Sequence, residues 1–356
     1  MNVHELIELA VANKASDLHL NVTSPPTLRI YGNLVPVQGV PLLTAKDIQE
    51  AFEEVATAEK RRDFAASHDI DFYYSIPGLA RCRINVMQQR NTLSMSVRII
   101  PFNIPTIEEL NLPPVIRDLI LKPTGLILIT GPTGSGKSST IAAMINYLNE
   151  NLERNIITIE DPIEYVHTNN KCLISQRNLG EDTESFDSAL IHALRHDPDV
   201  IVVGEMREMN TMLTAIRAAE TGHLVLGTLH TSDASQTVNR IIDMFPANQH
   251  DQVRSELAQI LTAVVCQTLI PRADGKGRVP ACEIMVVNNA IRNTIREGRI
   301  HQLYSLIQVS SKEGMQTLNQ ALSALISCGT ISEDQAFVIS NMQEELKTMR
   351  HSYHCT

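Results

Sequence analysis

The chain has 356 residues, 43% hydrophobic and 20% charged, with a formal net charge of −10. That length suffices for two or three domains with cores of their own. The acidic balance argues against a polybasic membrane anchor or a general nucleic-acid coat, and no stretch approaches the ~20 apolar residues that cross a bilayer.

In chain order, MNVHELIELA carries no basic segment followed by an apolar core, so a cytoplasmic protein is expected. HELIELAVANKA predicts an amphipathic helix, SDLHLNV a strand, and PPTLRIYGNLVPV a strand pair around a Gly-Asn turn. Residues 44–66 are helical by composition. DIDFYYSI, the turn Pro77-Gly78 and ARCRINVMQQ make a hairpin, and TLSMSVRII adds another strand. Together these predict a small α+β domain over residues 1–100. Prolines at 101, 105, 113 and 114 then mark residues 101–124 as a linker. From Gly125 the pieces LILIT, SSTIAAMINYL, NIITIE, SALIHAL, DVIVVG, TMLTAIRAAE and HLVLGTLH alternate strand and helix. Such alternation predicts a parallel sheet with helices on both faces. Beyond Asn248 the chain reads as mainly helical, with a β-hairpin around ADGKGRV, completing a second domain over 125–356. Six cysteines (Cys82, Cys172, Cys266, Cys282, Cys328, Cys355) form no CxxC pair, so small buried thiols are expected rather than a zinc site.

The segment GPTGSGKS fits GxxxxGK[ST] in full, between a predicted strand and a predicted helix. Backbone N–H groups of Gly131, Pro132, Thr133, Gly134, Ser135 and Gly136 (proline excepted) can curl around phosphate oxygens. The first helical turn, with Ser138 and Ser139, adds a favourable dipole. Lys137 can reach the β- and γ-phosphates and the Ser138 hydroxyl can ligate magnesium, so ATP and Mg2+ are the expected ligands.

Hydrolysis also needs an acid that orients water. Two strand ends supply one: TIEDPIEY, with Glu160, Asp161 and Glu164, and DPDVIVVGEMR, with Glu205 one step after Gly204. Ligands of open parallel sheets lie beyond the carboxyl ends of the strands, where both groups sit. The bland alternatives are a solvated loop acid or helix cap for Glu164, and a salt bridge to Arg207 for Glu205. His223 and His230 bracket the strand TGHLVLGTLH. Period two in ARCRINV puts Arg81, Arg83 and Asn85 on one face and Cys82, Ile84 and Val86 on the other, while Arg98 stands alone in SVRII. AIRNTIRE is helical in pattern, with Ile291, Thr294 and Ile295 on one face.

GPTGSGKSST, TIEDPIEY, DPDVIVVGEMR and AAETGHLVLGTLHTSDASQT, in this order, closely resemble the four signature boxes of the secretion-type ATPases. Within that group the chain is most similar to the type IV pilus retraction ATPases, in SDLHL and AIRNTIRE as well as in the boxes. The resemblance implies an α/β chain: an N-terminal PAS-like α+β domain, then a RecA-like P-loop ATPase core with a helical C-terminal region. It implies Glu205 as the acid near the magnesium shell, acting through water, and Glu164 as the general base. His230, and less so His223, becomes a sensor of the γ-phosphate or a support for Glu205. Arg81, Arg83 and Arg98 become arginine-finger candidates. The output helix is Ala290, Ile291, Arg292, Asn293, Thr294, Ile295, Arg296 and Glu297, with Thr294 where retraction ATPases usually carry leucine. A homohexameric motor is implied, in which ATP pulls the N-terminal domain onto the core to drive pilus disassembly against an inner-membrane platform protein.

Other readings make different demands. Pilus assembly and type II secretion ATPases typically carry a four-cysteine zinc insertion, which is missing here. An accessory retraction paralogue stays open because of Thr294. A nucleic-acid translocase on the same core wants a basic channel and stacking aromatics; aromatic residues are 4% and tryptophan is absent. An ATP-switched binding protein without turnover does not need both Glu164 and Glu205.

Overall fold

The computed structural model describes residues 2–30, 32–100 and 104–349. Contacts divide the chain into two units, Met1–Asn103 with Glu164–Val166, and Ile104–Ile163 with His167–Thr356.

In the first unit, alternation along ARCRINV is realised as burial: Cys82, Ile84 and Val86 are fully buried, and Arg81, Arg83 and Asn85 are half-buried on the other face. The elements are α1 (Val3–Ala12), β1 (Asp17–Asn21), β2 (Thr27–Ile30), β3 (Asn33–Pro36), α2 (Ala45–Val55), α3 (Ala58–Ser67), β4 (Asp69–Ile76), β5 (Ala80–Gln89) and β6 (Thr92–Ile100). The strands form one antiparallel sheet in the order β3-β2-β1-β6-β5-β4. Ile7 of α1 and Ile48 and Phe52 of α2 pack on its apolar face with Leu18, Ile84 and Val97. Residues 44–66, helical by composition, form two helices. Ala56 is extended, and the Thr57 hydroxyl accepts a hydrogen bond from the Lys60 N–H and starts α3 afresh. Tyr31, inside the predicted strand pair, lies outside the described residues.

The second unit holds α4 (Val115–Ile120), β7 (Gly125–Thr130), α5 (Lys137–Asn151), β8 (Asn155–Glu160), β9 (Leu173–Asn178), α6 (Phe186–Ala193), β10 (Val200–Val203), α7 (Met209–Glu220), β11 (Leu224–Leu229) and α8 (Ala234–Asp243). These are followed by α9 (His250–Ile260), β12 (Leu261–Pro271), β13 (Arg278–Val286), α10 (Asn289–Arg296), α11 (Leu303–Val309), α12 (Leu318–Ser327), α13 (Glu333–Ile339) and α14 (Gln343–Met349). The sheet order is β13-β12-β7-β11-β10-β8-β9, parallel throughout except for the antiparallel β12–β13 pair. Both faces are covered, which is why LILI and VIVV are apolar without interruption. Leu126, Leu128, Ile201 and Val203 face one core with α7 and α8; Ile127, Ile129, Val200 and Val202 face the other with α5.

Two expectations are corrected here. The proline-rich segment is no linker over residues 104–124. Ile107, Leu112, Ile116, Leu119 and Ile120 are buried against β7 and α5, and Pro114 opens α4 where a missing N–H costs nothing. Pro101 and residues 102–103 lie outside the described residues. Beyond Asn248 the chain is less helical than its composition predicts: the hairpin around ADGKGRV extends to 11 residues in β12 and 9 in β13, and β12 pairs with the strand that feeds the glycine loop. Burial on both faces leaves LTAVVCQTLI mostly apolar, without the alternation that would mark a strand, and periodicity alone does not separate it from helix. The edge strand β9, rich in polar residues, was not expected. Cys82, Cys172, Cys266 and Cys282 are buried free thiols, Cys328 is exposed, and Cys355 lies outside the described residues. No described helix is long and apolar enough to cross a membrane.

Candidate nucleotide site

The glycine loop leaves the carboxyl end of β7 and enters α5 at Lys137. Gly131, Gly134 and Gly136 have φ of +141°, +78° and +89°, which side chains with a Cβ rarely adopt, and Gly136 caps the helix in the left-handed region. The loop amides and the first turn of α5, with Ser138 and Ser139 half-buried in it, form a concave donor surface suited to an anion. The Lys137 ammonium donates to the carbonyls of Gly131 at 2.8 Å and Pro132 at 3.1 Å, which holds its charge over the loop.

Two strands from β7 the chain leaves β10 through Gly204 to Glu205, a separation of ~10 Å at the usual strand spacing. A Cβ on Gly204 would sit 3.0 Å from the Ile159 carbonyl oxygen and 3.1 Å from the Glu160 Cα. The Gly204 N–H also donates to Ile159 at 2.7 Å, and the Thr228 hydroxyl donates to the Gly204 carbonyl. Glycine suits this strand end because the end of β8 closes on it, and the carboxylate comes at the next residue. Glu205 is mostly buried. It accepts a hydrogen bond from His230 Nε2 at 2.6 Å and pairs with Arg207 Nε, so the salt bridge and the histidine contact coexist. His230 follows β11, the strand between those of the loop and the acid. A cleft of about 150 Å³ opens beside this pair, lined by Arg207, Thr231 and Arg240 among others.

Glu164 is exposed, two residues beyond the cis Asp161–Pro162 bond. Glu160, at the end of β8, accepts hydrogen bonds from Thr158 at 2.6 Å and Gln176 at 3.0 Å. His223 is not at the phosphate end. It precedes β11, and the Leu224–Gly125 and Leu229–Thr130 register puts it at the opposite edge of the sheet, about 20 Å of strand from the loop. Its Nδ1–H donates to Ala218 at 2.9 Å, closing the turn after α7. A sensor role toward the phosphates held by this chain's own loop is thereby removed for His223. In the first unit Arg83 pairs with Asp71 at 3.3 Å, Arg98 with Asp17 at 3.0 Å, and Arg81 lies over the Tyr73 ring at 4.7 Å. In α10, Ile291, Thr294 and Ile295 are the buried face, and Arg292 Nε donates to the Ala258 carbonyl at 2.9 Å.

Sequence reasoning missed Gln267, on β12. Its side chain is buried, its Nε2 donates to the Ser135 carbonyl at 2.7 Å, and its Oε1 accepts from the Thr140 hydroxyl at 2.7 Å. A polar residue within VVCQTLI is the available signal, and it gains meaning only once that run is a strand rather than the helix its composition suggests.

A glycine loop between a buried parallel strand and a helix N-terminus, with an acid and a histidine on adjoining strand ends, defines a P-loop nucleotide hydrolase. The Type II/IV secretion system protein family matches residues 2–353, and the chain belongs to that family and is an ATPase. It is 45% identical to the type IV pilus retraction ATPase PilT of Pseudomonas aeruginosa over 336 residues, 94% of this chain and 97% of that protein. The type IV pilus ATPase PilU of the same organism is 42% identical over 98% of this chain and 91% of its own length. A crystal structure of the pilus retraction motor PilT with bound ADP superposes with a TM-score of 0.92 at 46% identity, covering 98% of this chain and 100% of that one. The second unit is thus the RecA-like ATPase core of this family.

Proposed function

We propose that this ATPase is the motor of type IV pilus retraction, working as a homohexameric ring that acts on an inner-membrane platform protein at the pilus base. The observation that carries the reading is the likeness to PilT along nearly the whole of both chains, in sequence and in fold. The N-terminal unit is read as a PAS-like module. The loop amides and Lys137 bind the β- and γ-phosphates of ATP. Glu164 takes the proton of the attacking water, and His230 holds Glu205 in its working rotamer. Ser138 and, through water, Glu205 are oxygen donors of the kind magnesium takes; the ion would neutralise charge on the phosphates. Arginines of the first unit, Arg81, Arg83 or Arg98, would add positive charge at the transition state. Binding and hydrolysis become rigid-body motion of the subunits.

A second reading, an accessory retraction ATPase, is favoured by the 42% identity to PilU and by Thr294 in the output helix. Deleting the gene and counting surface pili tests both. Excess pili without twitching supports the motor, a loss of force with twitching retained supports the accessory role, and bald cells would overturn retraction.

A further inference from the structure

Gln267 touches the glycine loop at both of its ends. Cys266 pairs with Thr130, the last residue of β7, so Gln267 is the first residue of β12 alongside the loop itself. Its amide bridges two groups five residues apart in the chain: the Ser135 carbonyl inside the loop, and the Thr140 hydroxyl on the first turn of α5. Ser135, Thr140 and Gln267 are each at least 96% buried, so neither bond is exchanged for water at low cost. The backbone of the same residue shapes the loop's start: a Cβ on Gly131 would fall 2.2 Å from the Gln267 carbonyl oxygen. A Cβ on Gly136 would fall 2.8 Å from Gln267 Nε2. Positive φ already favours glycine at both positions, and the backbone and side chain of residue 267 fill the space beside them as well. A neutral amide satisfies both partners at once and at any pH, donating to the carbonyl with one atom and accepting from the hydroxyl with the other.

We propose that Gln267 is a positioning residue of the ATPase: it holds the loop amides in their phosphate-binding arrangement and touches no phosphate itself. Preorganised donors lose no affinity to reordering when the anion arrives, and they keep their aim as charge develops on the γ-phosphate. The inference rests on the reading that residues 131–138 hold the nucleotide.

The test uses the full-length protein, a fluorescent ATP analogue for affinity, and steady-state ATPase for kcat and KM. Gln267→Ala is expected to weaken nucleotide binding by about tenfold or more and to lower kcat as well, since a buried carbonyl and hydroxyl lose their partners. Thr140→Val, which removes only the donor to Oε1, is expected to weaken binding by roughly threefold. Gln267→Glu separates positioning from packing. Its protonated acid can donate to Ser135, whereas its carboxylate can only repel that carbonyl, so its affinity relative to the unaltered protein should fall as pH is raised from 6 to 8.5. Filler of the same shape would give a ratio independent of pH. Affinities and kcat within twofold of the unaltered protein for Gln267→Ala and Thr140→Val, with a flat ratio for Gln267→Glu, would overturn the proposal. Should Gln267→Ala fail to fold, the other two variants decide. Lys137→Ala, run beside them, keeps the two readings apart. Unimpaired binding in that variant refutes the loop as the nucleotide site, and lost binding with normal Gln267 variants refutes the positioning role alone.

Discussion

On the proposed function, Lys137 serves binding and Glu164 serves water activation, and substituting each should yield a different loss. Lys137→Ala removes the cation held over the loop by the Gly131 and Pro132 carbonyls, and ATP turnover should disappear together with binding. Glu164→Ala should leave ATP binding intact and lower kcat by two or more orders of magnitude, on the order of what a general base contributes; loss of binding would make Glu164 structural. Glu283 gives a pH effect. It is buried on β13, where it accepts the Ala234 N–H at 2.8 Å. Burial, with the nearby Asp233 charge adding to it, pushes its carboxyl from 4.5 up to about 7. Between those values the folded protein keeps a proton that the unfolded chain has released. The stability this group contributes is therefore full below pH 4.5 and lost by pH 7, on the order of 3 kcal/mol at most. Melting temperatures across pH 4.5–8 should show Glu283→Gln gaining on the unaltered protein as pH rises; a constant difference would refute the assignment.

At the scale of elements, strand ends explain the glycines and helix faces explain the output segment. Gly204→Ala would press a methyl group onto the Ile159 carbonyl and the Glu160 backbone at the end of β8, and a cost of about 1–3 kcal/mol is expected, read as a lowered denaturation midpoint. In α10, Ile295 is fully buried against the helical core, and Ile295→Ala should cost about 2–5 kcal/mol by urea unfolding. Much of this layer was legible beforehand. The i, i+3, i+4 spacing in AIRNTIRE picked out the three residues that are buried, because one helix face and one core suffice to decide it. The period of ARCRINV picked out the buried face of β5 for the same reason. The run LTAVVCQTLI was not legible, since an apolar stretch buried on both sides carries no period. The proline-rich 104–124 segment misled in another way: its prolines mark irregular backbone, but its isoleucines and leucines are core.

For the whole molecule the sheet order decides which strand ends act together. With β11 between β7 and β10, His230 comes to lie next to Glu205 and His223 goes to the far edge, although both histidines bracket one strand in sequence. Single-stranded DNA should leave the ATPase rate unchanged, as an acidic chain with few aromatics predicts; strong stimulation would revive a translocase. Sequence alone determined the loop, the acid-bearing strand ends and the family, because phosphate binding and water activation demand particular residues at short, local spacings. Only the tertiary structure decided that Gln267 grips Ser135 of the loop from 132 residues away, that Gly204 abuts the end of β8, and that the two histidines part company. Those are matters of strand order and register, and they depend on which distant segments share a sheet.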